Sequence, residues 1–213
     1  MQILVVTAVD AERDAIVGAA GPGARVVTVG VGPAAAAAGT ARALDEQPAD
    51  LVLCAGVGGG FAPVGVGDVV VATRIVHADL GAESAEGFLP MSTLGFGTDS
   101  YDVAAKLGVE LADRTGGHLG AILTVSTVTG TAATAQELVR RHPDARAEAM
   151  EGAGVAAAAG LRGIAVGEIR AVSNSVGPRD RSAWQLPAAL QALGTAVAAV
   201  LDAETDPQER TTG

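Results

Sequence analysis

Aromatic residues and cysteines are scarce in this sequence. Phe, Trp and Tyr make up 2% of the 213 residues, so a core has to be built from alanine, valine, leucine and glycine packed at close range. The single cysteine, Cys54, cannot form an internal disulfide, which makes a reducing cytoplasm the expected compartment. Cys54 lies in an apolar strand-like pattern, residues 51–55, and we expect it to have a structural role.

Basic residues are also few. The chain has 14 Lys and Arg against 24 Asp and Glu, a formal net charge of -10, and no basic run, which argues against a nucleic-acid partner. Its three histidines, at 77, 118 and 142, show no metal-ligand spacing, so we expect no metal site. Residues 30–35 fit a relaxed dinucleotide pattern, G-x-G-x-x-A, but they follow the second predicted strand, and the next strand has no acid at its end. We expect no cofactor.

Long hydrophobic runs are missing. Residues 186–201 are mostly apolar, but Pro187, Gln191 and Gly194 interrupt them, and the segment falls short of the roughly 20 apolar residues that a membrane span needs. We interpret it as a buried C-terminal helix and expect no membrane association. The N-terminus enters a strand-like pattern without a basic region, so we predict no signal peptide. Residues 202–213 are polar and predict a disordered tail.

Strand-like and helix-like segments alternate along residues 1–201, which predicts one α/β domain. Apolar runs predict strands at residues 2–7, 25–31, 50–55, 68–76, 119–127 and 164–172. Helical patterns occur at residues 11–18, 33–46, 102–115, 131–142, 151–161 and 184–201. Asp10 is a plausible cap for the first helix. Glycines at 56–60 predict a loop whose backbone approaches a ligand, with a tight turn as the alternative.

Residues 147–184 are the most informative stretch for function. Glu151 opens a predicted helix, where the dipole favours a carboxylate, and Asn174 follows a buried strand, just before a Gly-Pro turn. Open α/β sheets bind ligands at the carboxyl ends of their strands. The sequence therefore predicts that the Glu151 carboxylate and the Asn174 amide meet in one crevice.

Two motifs in this stretch carry a family resemblance. Met150-Glu151-Gly152, followed by Arg170-Ala-Val-Ser-Asn174, resembles the signature of the purine nucleoside phosphorylase and nucleosidase superfamily. The continuation from Val176 to Trp184 is similar to one branch, the futalosine hydrolases, which cleave the nucleoside bond of futalosine in a menaquinone pathway. The resemblance covers residues 1 to about 201. It implies a three-layer αβα fold around a central mixed β-sheet, a nucleoside substrate, no cofactor and a homo-oligomer.

The resemblance also implies catalytic roles. Glu12 matches the glutamate that positions and activates the attacking water, whereas without the family register Asp10 and Glu12 are ordinary first-turn carboxylates. Glu151 suits the 2′ and 3′ hydroxyls of the ribose, Met150 its apolar face, and Asn174 the departing base. The further implied binding positions are Ala55, Gly56 and Val57 against ribose and base, Thr73 near the sugar, and Val128 and Thr129 against the purine.

Position 174 departs from the adenine-cleaving relatives, which have aspartate there. Asparagine cannot hand over a proton, but its NH2 can donate to N7 and O6 of a 6-oxopurine, which favours hypoxanthine or guanine over adenine. Acids rather than phosphate-binding arginines surround the first strand end, which favours water over phosphate as the nucleophile. Another purine nucleosidase, of the methylthioadenosine/S-adenosylhomocysteine type, a 6-oxopurine nucleoside phosphorylase and a nucleoside-binding protein remain alternatives.

The carboxyphenyl group of futalosine needs its own contacts. Arg179 or Arg181 would bind its carboxylate, with Trp184 nearby, although a surface salt bridge with Asp180 is the alternative for either arginine. Residues 81–101 form the longest irregular segment and carry Phe88 and Phe96. We predict a lid or partner-contacting flap in which one of these rings packs on the phenyl group; simple packing against the domain is the alternative.

Overall fold

The computed structural model describes residues 1–205. In this part of the chain ten strands alternate with seven α-helices and one short 3-10 turn, Arg181–Ala183. The strands are β1 (Ile3–Thr7), β2 (Val26–Thr28), β3 (Leu51–Gly60), β4 (Val69–His77), β5 (Gly81–Ser84), β6 (Gly87–Pro90), β7 (Ser100–Asp102), β8 (His118–Thr124), β9 (Ala145–Ala149) and β10 (Ala165–Ser175). The helices are α1 (Asp10–Ala20), α2 (Pro33–Glu46), α3 (Met91–Leu94), α4 (Ala105–Thr115), α5 (Ala132–Arg141), α6 (Gly152–Gly160) and α7 (Leu186–Thr205).

Eight of these strands form one mixed sheet in the order β10-β4-β8-β9-β3-β1-β2, with β7 added to β4. Strand β10 also pairs in parallel with β3, and β9 pairs antiparallel with the end of β3. The five strands β10, β4, β8, β9 and β3 therefore form a closed ring of paired strands. Helices α1, α4 and α7 share one apolar cluster with the sheet, and α2 and α6 share another. The predicted α/β class with helices around a central mixed sheet is confirmed.

Strand β3 has ten residues, longer than the six predicted at residues 50–55. The glycine segment 56–60 was predicted to be a loop, but it continues the strand, paired with β10 along its length. No glycine from 56 to 60 has a positive φ. These residues are needed for close approach: a Cβ at Gly56 would lie 2.5 Å from Nη1 of Arg170, and one at Gly58 would lie 2.7 Å from the carbonyl of Glu148.

The segment 81–101 is more ordered than predicted. Strands β5 and β6 form an antiparallel hairpin, α3 is a single turn, and β7 joins the main sheet beside β4. The Phe88 ring packs beneath the Arg141 guanidinium, 4.4 Å from its carbon to the ring centroid, whereas Phe96 is 79% exposed. The prediction of an irregular segment is therefore wrong, because the hairpin satisfies its own backbone. Its role as a lid or flap stays a prediction.

Helix α7 is longer than predicted and includes residues 202–205, which had been placed in the tail. By length and composition its residues 186–203 could span a membrane, contrary to the sequence prediction. Ala189, Leu193 and Val197 are nevertheless completely buried in the cluster shared with α1 and the sheet. The rest of the predicted tail, residues 206–213, lies outside the described residues.

Candidate active site

A cleft of about 320 Å³ opens where β1, β3, β9 and β10 end. Its walls combine apolar side chains, glycine backbone and three glutamates, and no lysine, arginine or histidine from the described residues lines it. The lining residues are Ala8, Val9, Glu12, Val31, Val57, Gly58, Gly59, Val128, Thr129, Glu148, Ala149, Met150, Glu151, Ser173, Asn174, Val176, Trp184 and Leu186. Such a cleft suits a neutral or cationic group rather than a phosphate.

Glu12 is held by backbone donors from two elements. Its Oε2 accepts from the N–H groups of Ala8, at 2.9 Å, and Val9, at 3.3 Å, and its Oε1 accepts from Val57 at 2.9 Å. The helix begins after Val9, so the predicted capping role of Asp10 is wrong; Asp10 is exposed and accepts from Arg13. Because three N–H groups fix Glu12, its carboxylate is oriented in advance at the cleft wall.

Glu151 is the cap residue of α6, and the residue as a whole is 5% exposed. Arg170 reaches it from behind the cleft, with Nη1 3.1 Å from Oε2 of Glu151 and Nε 2.8 Å from Oε1 of Glu168. Nη2 of Arg170 also lies 3.2 Å from the buried Cys54 sulfur. Burial raises the pKa of Glu168, against the opposing effect of Arg170. One buried cation therefore balances the carboxylate that faces the cleft.

Asn174 follows a bulge in β10, at which its register with β3 shifts between Val172 and Asn174. The Ser173 hydroxyl donates to Oδ1 of Asn174 at 2.8 Å, and Nδ2 donates to the Ser175 carbonyl at 3.0 Å. With the carbonyl oxygen engaged, the amide keeps one N–H for a ligand. The donor role predicted for Asn174 from the sequence stays a prediction.

Thr129 and Glu148 form a second polar pair in the cleft. The Thr129 N–H donates to Oε1 of Glu148 at 2.9 Å, and its hydroxyl donates to Oε2. Burial raises the pKa of the Glu148 carboxyl, and the two Thr129 bonds act in the opposite direction. Sequence reasoning assigned Thr129 to the site and missed Glu148, because β9 was not predicted. The alternation Ala-Arg-Ala-Glu-Ala was the signal available.

Most of the predicted site residues line this cleft, and some do not. The residues brought together are Glu12, Val57, Val128, Thr129, Met150, Glu151, Asn174 and Trp184. Ala55 and Gly56 are buried one step behind the lining, where a Cβ at Gly56 would lie 2.5 Å from Nη1 of Arg170 and 2.7 Å from Oε1 of Glu12. Thr73, an exposed bulge residue of β4, and Phe96 lie outside the lining. Arg179 and Arg181 are exposed beside Trp184, at 5.5 and 5.9 Å from its ring centroid.

The chain belongs to the phosphorylase superfamily, whose family model matches residues 5–203. Among its relatives, the futalosine hydrolase of Streptomyces coelicolor is 53% identical over 92% of this chain and 94% of its own length. The futalosine hydrolase of Acidothermus cellulolyticus is 46% identical, covering 92% and 89%. The solved structure of the Helicobacter pylori futalosine hydrolase matches with a TM-score of 0.80 at 19% identity, over 94% of this chain and 97% of that one, which supports the fold.

Proposed function

We propose that this chain hydrolyses the N-glycosidic bond of futalosine, giving hypoxanthine and dehypoxanthine futalosine, in menaquinone biosynthesis in the cytoplasm. The observation that carries the proposal is one cleft in which Glu12, Glu151 and Asn174 meet. Its similarity to two futalosine hydrolases, at 53% and 46% identity over nearly the whole chain, supports the choice of substrate.

The reaction breaks the bond between ribose C1′ and base nitrogen while positive charge develops on the sugar and negative charge on the base. Glu151 accepts from the ribose hydroxyls and stabilises the positive charge, and Met150 covers the sugar. Glu12 orients a water molecule and takes one proton from it, and the water oxygen then forms the new bond to C1′. Asn174 donates a hydrogen bond to N7 and so stabilises charge on the departing base, which then takes up a proton from solvent to give hypoxanthine while Glu12 returns its proton to solvent.

Water is the proposed nucleophile because no cationic side chain among residues 1–205 lines the cleft to bind phosphate. Its three glutamates would repel a phosphate dianion, and the arginine nearest Glu12 in sequence, Arg13, is paired with Asp10 and Asp14 on the surface. Arg170 lies behind the cleft and is engaged by Glu151 and Glu168.

Release of free base from three nucleosides tests the reaction class. Futalosine, inosine and methylthioadenosine would each be incubated with and without phosphate and followed by chromatography. We expect hypoxanthine from futalosine without phosphate. Adenine from methylthioadenosine would instead indicate a general nucleosidase, phosphate dependence would contradict the role of Glu12, and no release from any substrate would favour a nucleoside-binding protein.

The exposed arginines next to Trp184 provide the second prediction. We expect Arg179→Ala or Arg181→Ala to raise KM for futalosine about 10-fold, because a charge-assisted hydrogen bond to the carboxylate is lost. KM for inosine, which lacks the carboxyphenyl group, should not change, and Arg140→Ala on the exposed face of α5 is the matched control. If neither variant changes KM for futalosine, both arginines have only surface roles.

Phe96 would reach a substrate across an interface between copies of the chain. Its ring is 79% exposed and lies outside the cleft lining of its own chain. Aromatic side chains are enriched at protein–protein interfaces. We therefore include a homo-oligomer in the proposal, as the family resemblance implies.

A further inference from the structure

Glu148 is a buried carboxylate in the cleft for which the proposed reaction has no use. It is 4% exposed and lines the cleft near the end of β9, two residues before Met150, which is proposed to cover the sugar. An ionised carboxylate can accept about four hydrogen bonds, and Thr129 supplies two. The remaining lone pairs have no donor among the hydrogen bonds of the described residues, so a ligand can supply one.

The strand register places Glu148 opposite Asn174. Gly59 of β3 pairs with Glu148 on one side and with Asn174 on the other. Paired residues on neighbouring strands project to the same face, so both side chains point to one side, separated by two strand spacings, roughly 10 Å. Gly59 between them has no side chain; a Cβ there would lie 2.8 Å from Val176 and 3.5 Å from the Asn174 amide nitrogen. The result is a slot with a donor at one end and an acceptor at the other.

A 6-oxopurine fits this slot better than a 6-aminopurine. Along one edge it presents N7 and O6, which accept hydrogen bonds, and then N1–H, which donates. Adenine N1 carries no hydrogen and can only accept a hydrogen bond. A carboxylate facing it would also only accept, so no hydrogen bond could form between them. The N–H of Thr129, which could have met such an acceptor, already donates to Glu148.

We infer that Glu148 determines specificity by accepting the N1–H of a 6-oxopurine base while Asn174 donates to its N7 and O6 edge. The inference rests on the proposed function and deepens it, because it names the residue that separates futalosine from its 6-amino analogue. Thr129 acts as the positioning residue, since its two donors fix the carboxylate. Recognition by Asn174 alone would be incomplete, because its amide contacts the N7 edge and does not reach N1, where the two bases differ between donor and acceptor.

The test compares kcat/KM for futalosine and for its 6-amino analogue in the wild type, Glu148→Gln and Glu110→Gln. Glutamine keeps the shape but can turn either an oxygen or an NH2 toward N1. We expect Glu148→Gln to lower kcat/KM for futalosine about 10- to 100-fold and to leave or raise the value for the 6-amino analogue. Glu110, an exposed residue of α4, is the matched control and should change neither value.

An equal loss on both substrates, or no change on either, would overturn the assignment and leave Glu148 a structural partner of Thr129. If the wild type cleaves futalosine but Glu148→Gln leaves the ratio of kcat/KM for futalosine to kcat/KM for the 6-amino analogue unchanged, only this inference fails. If the wild type releases no base, the proposed function fails. An inhibition assay on the wild type tests the same contact without relying on a variant that folds. 1-Methylhypoxanthine lacks the N1 hydrogen and should inhibit at least about 10-fold more weakly than hypoxanthine. Equal inhibition would also overturn the assignment.

Discussion

Glu12→Gln should lower kcat for futalosine by about 100- to 10,000-fold, the range expected when a positioned general base is lost. Glutamine has nearly the same size, so it still fills the space between Ala8 and Val57, but its amide cannot take a proton from water. The carboxylate is 3% exposed and accepts three backbone N–H groups, so no other described acid can move into its place without breaking these bonds. The loss should appear in single-turnover rates of hypoxanthine release.

Asp10→Asn is the matched control for this variant. Asp10 lies in the first turn of the same helix, but it is exposed and accepts from Arg13 and Thr28. Its replacement should leave kcat within about 2-fold, as for a surface residue outside the site. Futalosine should still bind to Glu12→Gln, which calorimetry can measure. Unchanged turnover in Glu12→Gln would show that water is activated elsewhere and would remove the main difference between an enzyme and a binding protein.

The sequence could place Glu12 and Asn174, the residues proposed to be catalytic, because they lie at or just beyond the ends of strongly apolar strands. Strands β1 and β10 were recognised from their apolar runs, and parallel neighbours bring their carboxyl ends to one edge. Strands β1 and β10 both pair in parallel with β3, so Glu12 and Asn174, at or just beyond their carboxyl ends, lie at one edge of the sheet. The family register then separated Glu12 from Asp10, a distinction that helix-start propensity alone does not make.

The parts that were missed depend on pairing between distant segments. Strand β9 reads Ala-Arg-Ala-Glu-Ala, residues of good helix propensity, and it becomes a strand because β8 and β3 pair with it on either side. The glycine end of β3 has equally poor strand propensity and is held by β10 and β9. Since both errors concern the same junction, they concealed the slot between Glu148 and Asn174.

Polar residues within an apolar strand were another unexplained signal. Glu168 and Arg170 interrupt the otherwise apolar β10, and the sequence offered no partner for them. In the structure their side chains are completely buried and form an ion pair, and Arg170 also reaches Glu151 from a different element. A cross-element cluster of this kind cannot be recovered from local spacing. Predicting this cluster requires knowing which residues of β10 lie beside the start of α6.

Arg170→Met should destabilise the protein by about 3 to 5 kcal/mol, because removing one partner of a buried ion cluster leaves the others uncompensated. Glu168 would lose the Nε contact at 2.8 Å, Glu151 would lose the Nη1 contact at 3.1 Å, and Cys54 would lose a donor. Methionine fills much of the volume, so the loss reports charge rather than a cavity. Urea unfolding followed by circular dichroism measures it.

Two further variants separate charge from packing. Arg140→Met removes an exposed arginine that is paired with Glu137 on the same helix, and it should cost no more than about 1 kcal/mol. Adding Glu168→Gln to Arg170→Met should recover part of the stability, because one uncompensated carboxylate is removed. If Arg170→Met matched the surface control, the buried cluster would contribute nothing to the fold.

The pH dependence of the Arg170→Met deficit follows from the sign of the Glu168 shift. Burial raises the folded-state pKa of Glu168 above its ordinary value, and loss of Arg170 would raise it further. A carboxyl whose pKa is higher in the folded state binds more protons there, so folding becomes less favourable as pH rises from the unfolded pKa through the folded pKa. The deficit should therefore be larger at pH 7 than at pH 5. A deficit independent of pH would mean that lost packing, and not an unpaired carboxylate, destabilises the variant.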